Sequence, residues 1–109
     1  QTPTMQRSDL VKNSRKWNDI PEFTRAMMIS ELTSELSILR VKAKITQEEL
    51  AGAIGISRQT YSQIECGKTK MSWSTYLSLL FYYSTNDSTS KLLEALNIYP
   101  NDHLRKDIA

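Results

Sequence analysis

The feature that most constrains this fold is a pair of helix signals separated by only two residues. Thr46-Gln-Glu-Glu49 is a capping box, in which Thr and Glu side chains satisfy exposed N–H groups at the start of a helix. Gly55 suits the left-handed conformation that ends a helix, and Ser57 is a good N-cap for the next one. Gly55 and Ile56 alone therefore join the two helices, which forces them to cross steeply.

Apolar residues beside the caps support both helix starts. Ile45 precedes the first cap and Leu50 follows its first turn, which is the arrangement of a hydrophobic staple. Ile56 and Tyr61 repeat this arrangement around the second cap. Ala51 provides the small side chain that two steeply crossed helices need where they touch. Together these features predict a helix-turn-helix unit.

The chain before this unit is predicted to be helical as well. With only three Gly and three Pro, and no long alternation of polar and apolar residues, the sequence favours an all-α fold. Asp19-Ile-Pro-Glu22 predicts a helix start, with Asp19 as the N-cap, and helical character continues to about Ala43. The pattern leaves open whether this segment is one helix or two pieces that meet near Ser30.

Two more helices are predicted after the unit. Ser72 is expected to cap a fourth helix that runs to about Tyr83, and a fifth is expected to start at Asp87 or Ser88. In the fourth helix we expect four side chains in the core rather than around a ligand pocket: Trp73, Tyr76, Leu77 and Leu80. In the fifth helix we expect three leucines to face inward: Leu92, Leu93 and Leu96.

The length of the chain predicts one domain. A chain of 109 residues supports a single hydrophobic core, and 39% hydrophobic with 24% charged residues is typical of a folded protein. We expect an N-terminal extension over residues 1–29, a five-helix domain over 30–98 and a C-terminal tail over 99–109.

Several classes of function are disfavoured by the residues that the chain lacks. One cysteine, Cys66, and one histidine, His103, provide neither a disulfide nor a four-ligand zinc site. No His, Asp or Glu cluster accompanies a nucleophile, so we expect neither an enzyme nor a cofactor. There is no apolar run of the roughly 20 residues that span a membrane and no signal-peptide core. These absences favour a cytoplasmic protein.

The second helix of the unit, residues 57–66, has an unusual outward face. Tyr61 and Ile64 are predicted to point into the core, and the exposed positions are mostly amides and hydroxyls. Five residues on this face are candidates for contacts with DNA bases: Arg58, Gln59, Thr60, Ser62 and Gln63. Arg pairs well with guanine and Gln with adenine in the major groove. A merely solvated face is the weaker interpretation, because no acidic residue intrudes before Glu65.

These segments resemble a known family of DNA-binding regulators. The matching strings are Leu39-Arg40, Ile45-Thr-Gln-Glu-Glu-Leu-Ala51, Gly55-Ile-Ser-Arg-Gln-Thr-Tyr-Ser-Gln-Ile-Glu65, Gly67-Lys68 and Ser72-x-x-Thr75-x-Leu77. Residues from about Leu32 to Tyr83 are similar to the lambda-repressor/Cro-like helix-turn-helix regulators, the XRE family. The resemblance implies a five-helix lambda-repressor-like domain that binds double-stranded DNA.

The resemblance also implies roles for individual residues. Contacts to DNA phosphates are implied for five of them: Gln47, Ser57, Lys68, Thr69 and Lys70. Arg40 and Glu65 match a structural pair that links the first helix to the end of the recognition helix. Three positions depart from the family: Lys44, where Gly is usual; Gly52, where a better helix former is common; and Cys66, where Asn, Arg or Gly is common.

The sequence thus predicts a sequence-specific transcriptional regulator that acts as a homodimer. We expect a repressor, although the sequence pattern also leaves an activator open. The alternative is an antitoxin or phage-type regulator whose extension binds a partner protein. The favoured dimer surface combines Phe81 with Leu92, Leu93 and Leu96 of the fifth helix. Phe81 is unusual because the family commonly has a polar residue at that position. The other candidate surface is Met27-Met28-Ile29 in the extension. The extension could instead cover Ile38, an apolar residue that is unusual for the family at its position.

Overall fold

The computed structural model describes residues 20–96, which form five α-helices and, within that range, no strand. The helices are α1 (Glu22–Ala43), α2 (Gln47–Ile54), α3 (Arg58–Glu65), α4 (Trp73–Thr85) and α5 (Asp87–Leu96). The predicted all-α, five-helix domain is therefore confirmed. None of these five helices is both long enough and apolar enough to span a membrane.

The first helix is continuous. It passes through Ser30 without a break, so the domain boundary predicted at residue 30 falls inside α1. The predicted N-cap, Asp19, lies outside the described residues; Pro21 occupies the N-cap position and makes no side-chain capping hydrogen bond. At the other end Lys44 adopts the left-handed conformation, with φ 57° and ψ 43°. This conformation is the physical reason for a glycine preference at this position.

The capping signals around α2 and α3 form as predicted. The Thr46 hydroxyl accepts the Glu49 N–H at 3.1 Å, and the Glu49 carboxylate accepts the Thr46 N–H at 3.0 Å. Gly55 ends α2 with φ 84°, and the Ser57 hydroxyl accepts the Thr60 N–H at 3.1 Å. The connection between the two helices is accordingly as short as the sequence indicated.

The core is built around α1, which packs against α3, α4 and α5, while α2 packs against α3 and α4. Helix α1 contributes four buried side chains from one face: Met28, Leu32, Leu36 and Leu39. Leu50 and Ala51 of α2, and Tyr61 and Ile64 of α3, close the core from the other side. The third helix thus lies on the core with one face and leaves the other exposed.

The structure decides two predictions for α4 and α5. Leu93 is 0% exposed in the core, which confirms that it faces inward and leaves it no surface for the predicted dimer contact, and Leu92 and Leu96 are half-buried against the core. Leu77, a predicted core residue, is 37% exposed, whereas Tyr76 and Leu80 are buried. Helix α5 exposes no large apolar side chain; those that are exposed outside the helix-turn-helix unit lie on α4, where Phe81 is 70% exposed, and on α1: Phe23, Met27, Ile38 and Val41.

The start of α5 depends on a residue that the sequence reading did not single out. The helix begins at Asp87, and the Asn86 side-chain oxygen accepts the Ser88 N–H at 2.9 Å. Asn is among the best N-cap residues, so the signal was present in the sequence.

Candidate nucleic-acid interface

The outward face of α3 carries the predicted base-contacting residues. Because Tyr61 and Ile64 are buried on the core side, the other face is turned to the surface. Four side chains line one shallow groove there: Arg58, Gln59, Ser62 and Gln63. Arg58, Gln59 and Gln63 are exposed and Ser62 is half-buried. The structure therefore brings four of the five predicted residues together.

Thr60, the fifth, is exposed but does not line that groove. Its hydroxyl accepts a hydrogen bond from the Ser57 hydroxyl at 2.8 Å, while its N–H is held by the Ser57 cap. The Ser57 side chain, a predicted phosphate contact, therefore caps the helix. A phosphate near Ser57 would still be favoured by the positive end of the α3 dipole.

The end of α3 is fixed by the carboxylate of Glu65, which accepts four hydrogen bonds. Arg40 donates from Nε to Oε1 at 2.9 Å and from Nη2 to Oε2 at 3.2 Å. The Tyr61 hydroxyl reaches Oε1 at 2.8 Å, and the Gln47 amide reaches Oε2 at 2.9 Å. Residues from α1, α2 and α3 therefore meet at one charged group.

Protonation at this cluster follows from its surroundings. Burial raises the pKa of Glu65, but hydrogen bonds from Arg40, Tyr61 and Gln47 outweigh burial and hold the pKa below its usual value. Burial, and then the hydrogen bond to Glu65, raise the pKa of Tyr61, so its hydroxyl remains a donor at neutral pH. Glu65 is thus a stable anion with a full set of donors.

Gln47 lies at the first residue of α2 with its side chain tied to Glu65. The first N–H groups of a helix have no partner within the helix, and the helix dipole favours an anion beside them. The link between Gln47 and Glu65 places this helix end beside the end of α3. Gln47, the predicted phosphate contact, is therefore held next to α3, the helix that is predicted to contact bases.

The backbone turn that ends α3 requires a glycine at position 67. Gly67 has φ 82°; its N–H donates to the Ile64 carbonyl at 3.1 Å, and the Lys68 N–H donates to the Gln63 carbonyl at 2.9 Å. This pair of bonds is the Schellman motif. The three predicted phosphate contacts that follow Gly67 are all exposed: Lys68, Thr69 and Lys70.

Sequence reasoning missed the bond from Gln47 to Glu65 and two further contacts in this region. Tyr61 was expected only in the core, yet it also donates to Glu65, four residues later in α3. The i, i+4 spacing is the signal that points to such a contact. The second is a hydrogen bond from the Thr69 hydroxyl to the Gln63 side-chain oxygen, at 3.3 Å. No spacing rule for helices applies to it, because Thr69 lies in the loop.

Comparison with known proteins identifies the domain. A family model described as "Helix-turn-helix domain" matches residues 31–93, which include all of α2, α3 and α4 and most of α1 and α5. Neither the curated proteins nor the solved structures contain a match to the chain. The match covers more than half of the 109 residues. The chain belongs to this helix-turn-helix domain family, which is of the Cro/C1, XRE-like type.

Proposed function

We propose that this protein is a transcriptional regulator that recognises a specific DNA sequence by inserting α3 into the major groove. The observation that carries this proposal is the exposed groove lined by Arg58, Gln59, Ser62 and Gln63 on a helix that is otherwise anchored in the core. Guanidinium and amide groups make the paired hydrogen bonds that distinguish bases. The side chains of Arg58 and Gln59 are exposed and make no hydrogen bond within residues 20–96, so their donors and acceptors are available to a ligand.

Predicted phosphate contacts at one end of the helix support this orientation. Gln47 reaches the end of α3 through Glu65, and the loop of Lys68, Thr69 and Lys70 leaves from the same end. Such contacts fix the register of a protein on the duplex, while base contacts carry the specificity. Residues 20–96 contain as many basic as acidic side chains, so affinity must come from this local arrangement rather than from net charge.

The proposed assembly is a homodimer on two half-sites. One recognition helix reads only a few base pairs, and two-fold dimers on half-sites one helical turn apart solve that problem. Helix α4 is the proposed dimer surface, and its support is that Phe81 and Leu77 are exposed there along a groove that also includes Ala53, Ile54 and Tyr82. The alternative, an extension that binds a partner protein, concerns residues 1–29, of which 1–19 lie outside the described range.

The proposal is tested by selecting bound duplexes from a random DNA pool at low and at physiological salt. We expect enrichment of one motif, made of two related halves if the dimer forms, and affinity that falls steeply as salt rises. A pool that remains random after repeated selection would refute sequence-specific recognition. A motif without internal symmetry would refute the dimer alone.

A further inference from the structure

A cleft of about 610 Å³ lies between the first part of α1 and the segment that follows α3. On α1 its lining begins at Glu22, whereas the family match begins at residue 31. The other side of the cleft is formed by residues between Gly67 and Trp73. The cleft therefore depends on a part of α1 that precedes the matched domain.

Much of the lining of this cleft is apolar. Ala26 and Ile29 of α1 line it, and so do Met71 and Trp73 after α3. Met71 is buried and the Trp73 ring is stacked on Tyr76, with ring centroids 4.8 Å apart, so the core holds this wall in place. Clefts of ~300–1,000 Å³ with apolar walls and a few polar groups are typical binding sites for small molecules.

The charged side chains of the cleft favour an anion over a cation. Arg25 and Lys70 both line it, and Glu22 is the one acidic residue of the lining, which leaves a net charge of +1. The guanidinium carbon of Arg25 lies 5.0 Å from the centre of the Trp73 ring, so a positive charge is held beside the apolar wall. A ligand that matches this lining has an apolar body and one negatively charged group.

We propose that this cleft binds a small organic anion of that kind. The apolar body of the ligand lies against Ile29, Met71 and Trp73, and its charged group lies beside Lys70 and Arg25. Burial of the apolar body supplies the affinity, and the two cations select an anion over a neutral molecule of the same shape.

Occupation of the cleft should weaken DNA binding, because Lys70 and Thr69 line the cleft and are also predicted phosphate contacts. A ligand beside Lys70 offsets a positive charge that the DNA backbone would otherwise meet. Since a phosphate contact carries no sequence information, the loss of affinity should be equal for all duplexes. This consequence rests on the proposed function, whereas the binding site itself does not.

Two dyes with the same ring system test the site in the full chain. Anilinonaphthalene sulfonate is an aromatic anion whose fluorescence rises in an apolar site, and phenylnaphthylamine is its neutral counterpart without the sulfonate. Fluorescence titration gives the affinity of the protein for each dye. The difference between the two dyes isolates the contribution of the negative charge.

Four variants locate the site, two of them as matched controls. Lys70→Gln removes a cation of the cleft, and Lys68→Gln removes an equally exposed cation of the same loop that does not line it. Ala26→Phe fills the cleft, and Ser37→Phe adds the same ring at an exposed position of α1 outside it. Circular dichroism confirms that each variant is as helical as the wild type.

We expect Lys70→Gln to weaken binding of the sulfonate about three- to fivefold, the effect of one partly exposed ion pair, and to leave the neutral dye unaffected. Ala26→Phe should weaken both dyes about tenfold or more, because the apolar body of either dye no longer fits. Lys68→Gln and Ser37→Phe should bind both dyes as the wild type does.

The effect on DNA is measured with a selected duplex at constant ionic strength. A saturating concentration of the sulfonate should weaken duplex binding about three- to fivefold in the wild type and leave Lys70→Gln unaffected. The duplex should weaken sulfonate binding by the same factor, because coupling between two ligands is reciprocal. The neutral dye should have no such effect.

Three results would overturn the site: no binding of the sulfonate to the wild type, unchanged binding in Ala26→Phe, or equal effects of Lys70→Gln and Lys68→Gln. Sulfonate that binds in the cleft without any change in duplex affinity would overturn the regulatory consequence. If the protein binds no duplex at all, the proposed function fails and the consequence fails with it, while the dye titrations still decide the site.

Discussion

Arg40, in the last turn of α1, and Glu65, the last residue of α3, form a bidentate ion pair with N–O distances of 2.9 and 3.2 Å. The same Arg40 donates from Nη1 to the Ile45 carbonyl at 3.2 Å, in the turn before α2. The pair therefore joins α1 to the end of α3 and to the turn that precedes α2.

Loss of one partner of this pair should destabilise the protein more than loss of an ordinary surface pair. The side chains are only 21% and 11% exposed, so the remaining charge is left partly desolvated. Because some solvent screening remains, we expect Glu65→Gln or Arg40→Gln to lower the free energy of unfolding by about 1–3 kcal/mol, short of the value for a fully buried pair.

Chemical denaturation measures this difference, and exposed Glu48→Gln is the matched control, expected to change stability by less than about 0.5 kcal/mol. In a variant that carries both Arg40→Gln and Glu65→Gln, the loss of stability should be far from the sum of the two single losses. Equal and small effects for Glu65→Gln and Glu48→Gln would show that the pair has no special role.

Stability should depend on pH because the pKa of Glu65 is lower in the folded state than its usual value of 4.5. In the unfolded chain the carboxyl binds a proton at a higher pH, so the unfolded state holds more protons in that window. The stabilisation is present above about pH 4.5 and is lost as the pH falls through the folded pKa. Glu49, whose pKa is also lowered by its bonds to Thr46, acts in the same direction.

Denaturation measured from neutral pH down to about pH 3 separates the two carboxylates. The pH dependence should be weaker in Glu65→Gln, while a part due to Glu49 remains. A Glu65→Gln variant with the full pH dependence of the wild type would show that other groups cause the acid sensitivity.

Lys44→Gly should stabilise the protein. Lys44 has φ 57° and ψ 43°, a left-handed conformation that costs a residue with a side chain about 1–2 kcal/mol. Glycine loses more backbone entropy on folding, which cancels part of the gain, so we expect a net increase of roughly 0.5–1 kcal/mol. Thermal unfolding measures it. Lys42→Gly, in the regular part of α1, is the control and should be destabilising.

Gly52→Ala is a second stabilising change, for a different reason. Gly52 lies inside α2, and a Cβ atom added there meets no atom within 4 Å. Alanine should therefore add up to about 1 kcal/mol through its helix propensity alone. Gly55→Ala is the control and should lower stability, because φ 84° at Gly55 strains any residue with a side chain. If both changes had the same sign, the conformation assigned to one of these glycines would be wrong.

The proposed dimer depends on the exposed face of α4. Phe81→Glu should shift the protein towards monomer without loss of helicity, because Phe81 is already 70% exposed and its replacement leaves the core intact. Phe23→Glu is a matched control, since Phe23 is 76% exposed on α1. Sedimentation at several concentrations reports the change. A monomer in the wild type, or equal effects of both variants, would rule out this surface.

Local signals explain which parts of the fold were predictable. The caps of α2, α3 and α4 depend on side chains within three residues of the backbone groups they bind, so the sequence alone indicates them. Arg40 and Glu65 are 25 residues apart, and only the resemblance to a family pointed to that pair. No local pattern encodes such a contact.

The wrong assignments have a common physical cause. The leucine spacing in α5 indicates an apolar face but not what covers it; in the structure α1 and α4 cover Leu93, so no partner is needed there. Leu77 fits the apolar pattern of α4, yet the packing of α2 on α4 leaves it 37% exposed. Periodicity predicts that a residue is apolar on one side of a helix, and only packing determines whether that side is covered.

A double-mutant cycle between Gln59 and its base pair tests most directly whether α3 reads DNA. Binding of wild type and Gln59→Ala is measured on the selected site and on the same site with one base pair changed, with Lys70→Ala as the control for phosphate contacts. We predict that Gln59→Ala loses about 1–3 kcal/mol of discrimination at one base pair, whereas Lys70→Ala weakens both sites equally. Equal discrimination by wild type and Gln59→Ala at every base pair would contradict the assignment of α3 as the recognition helix.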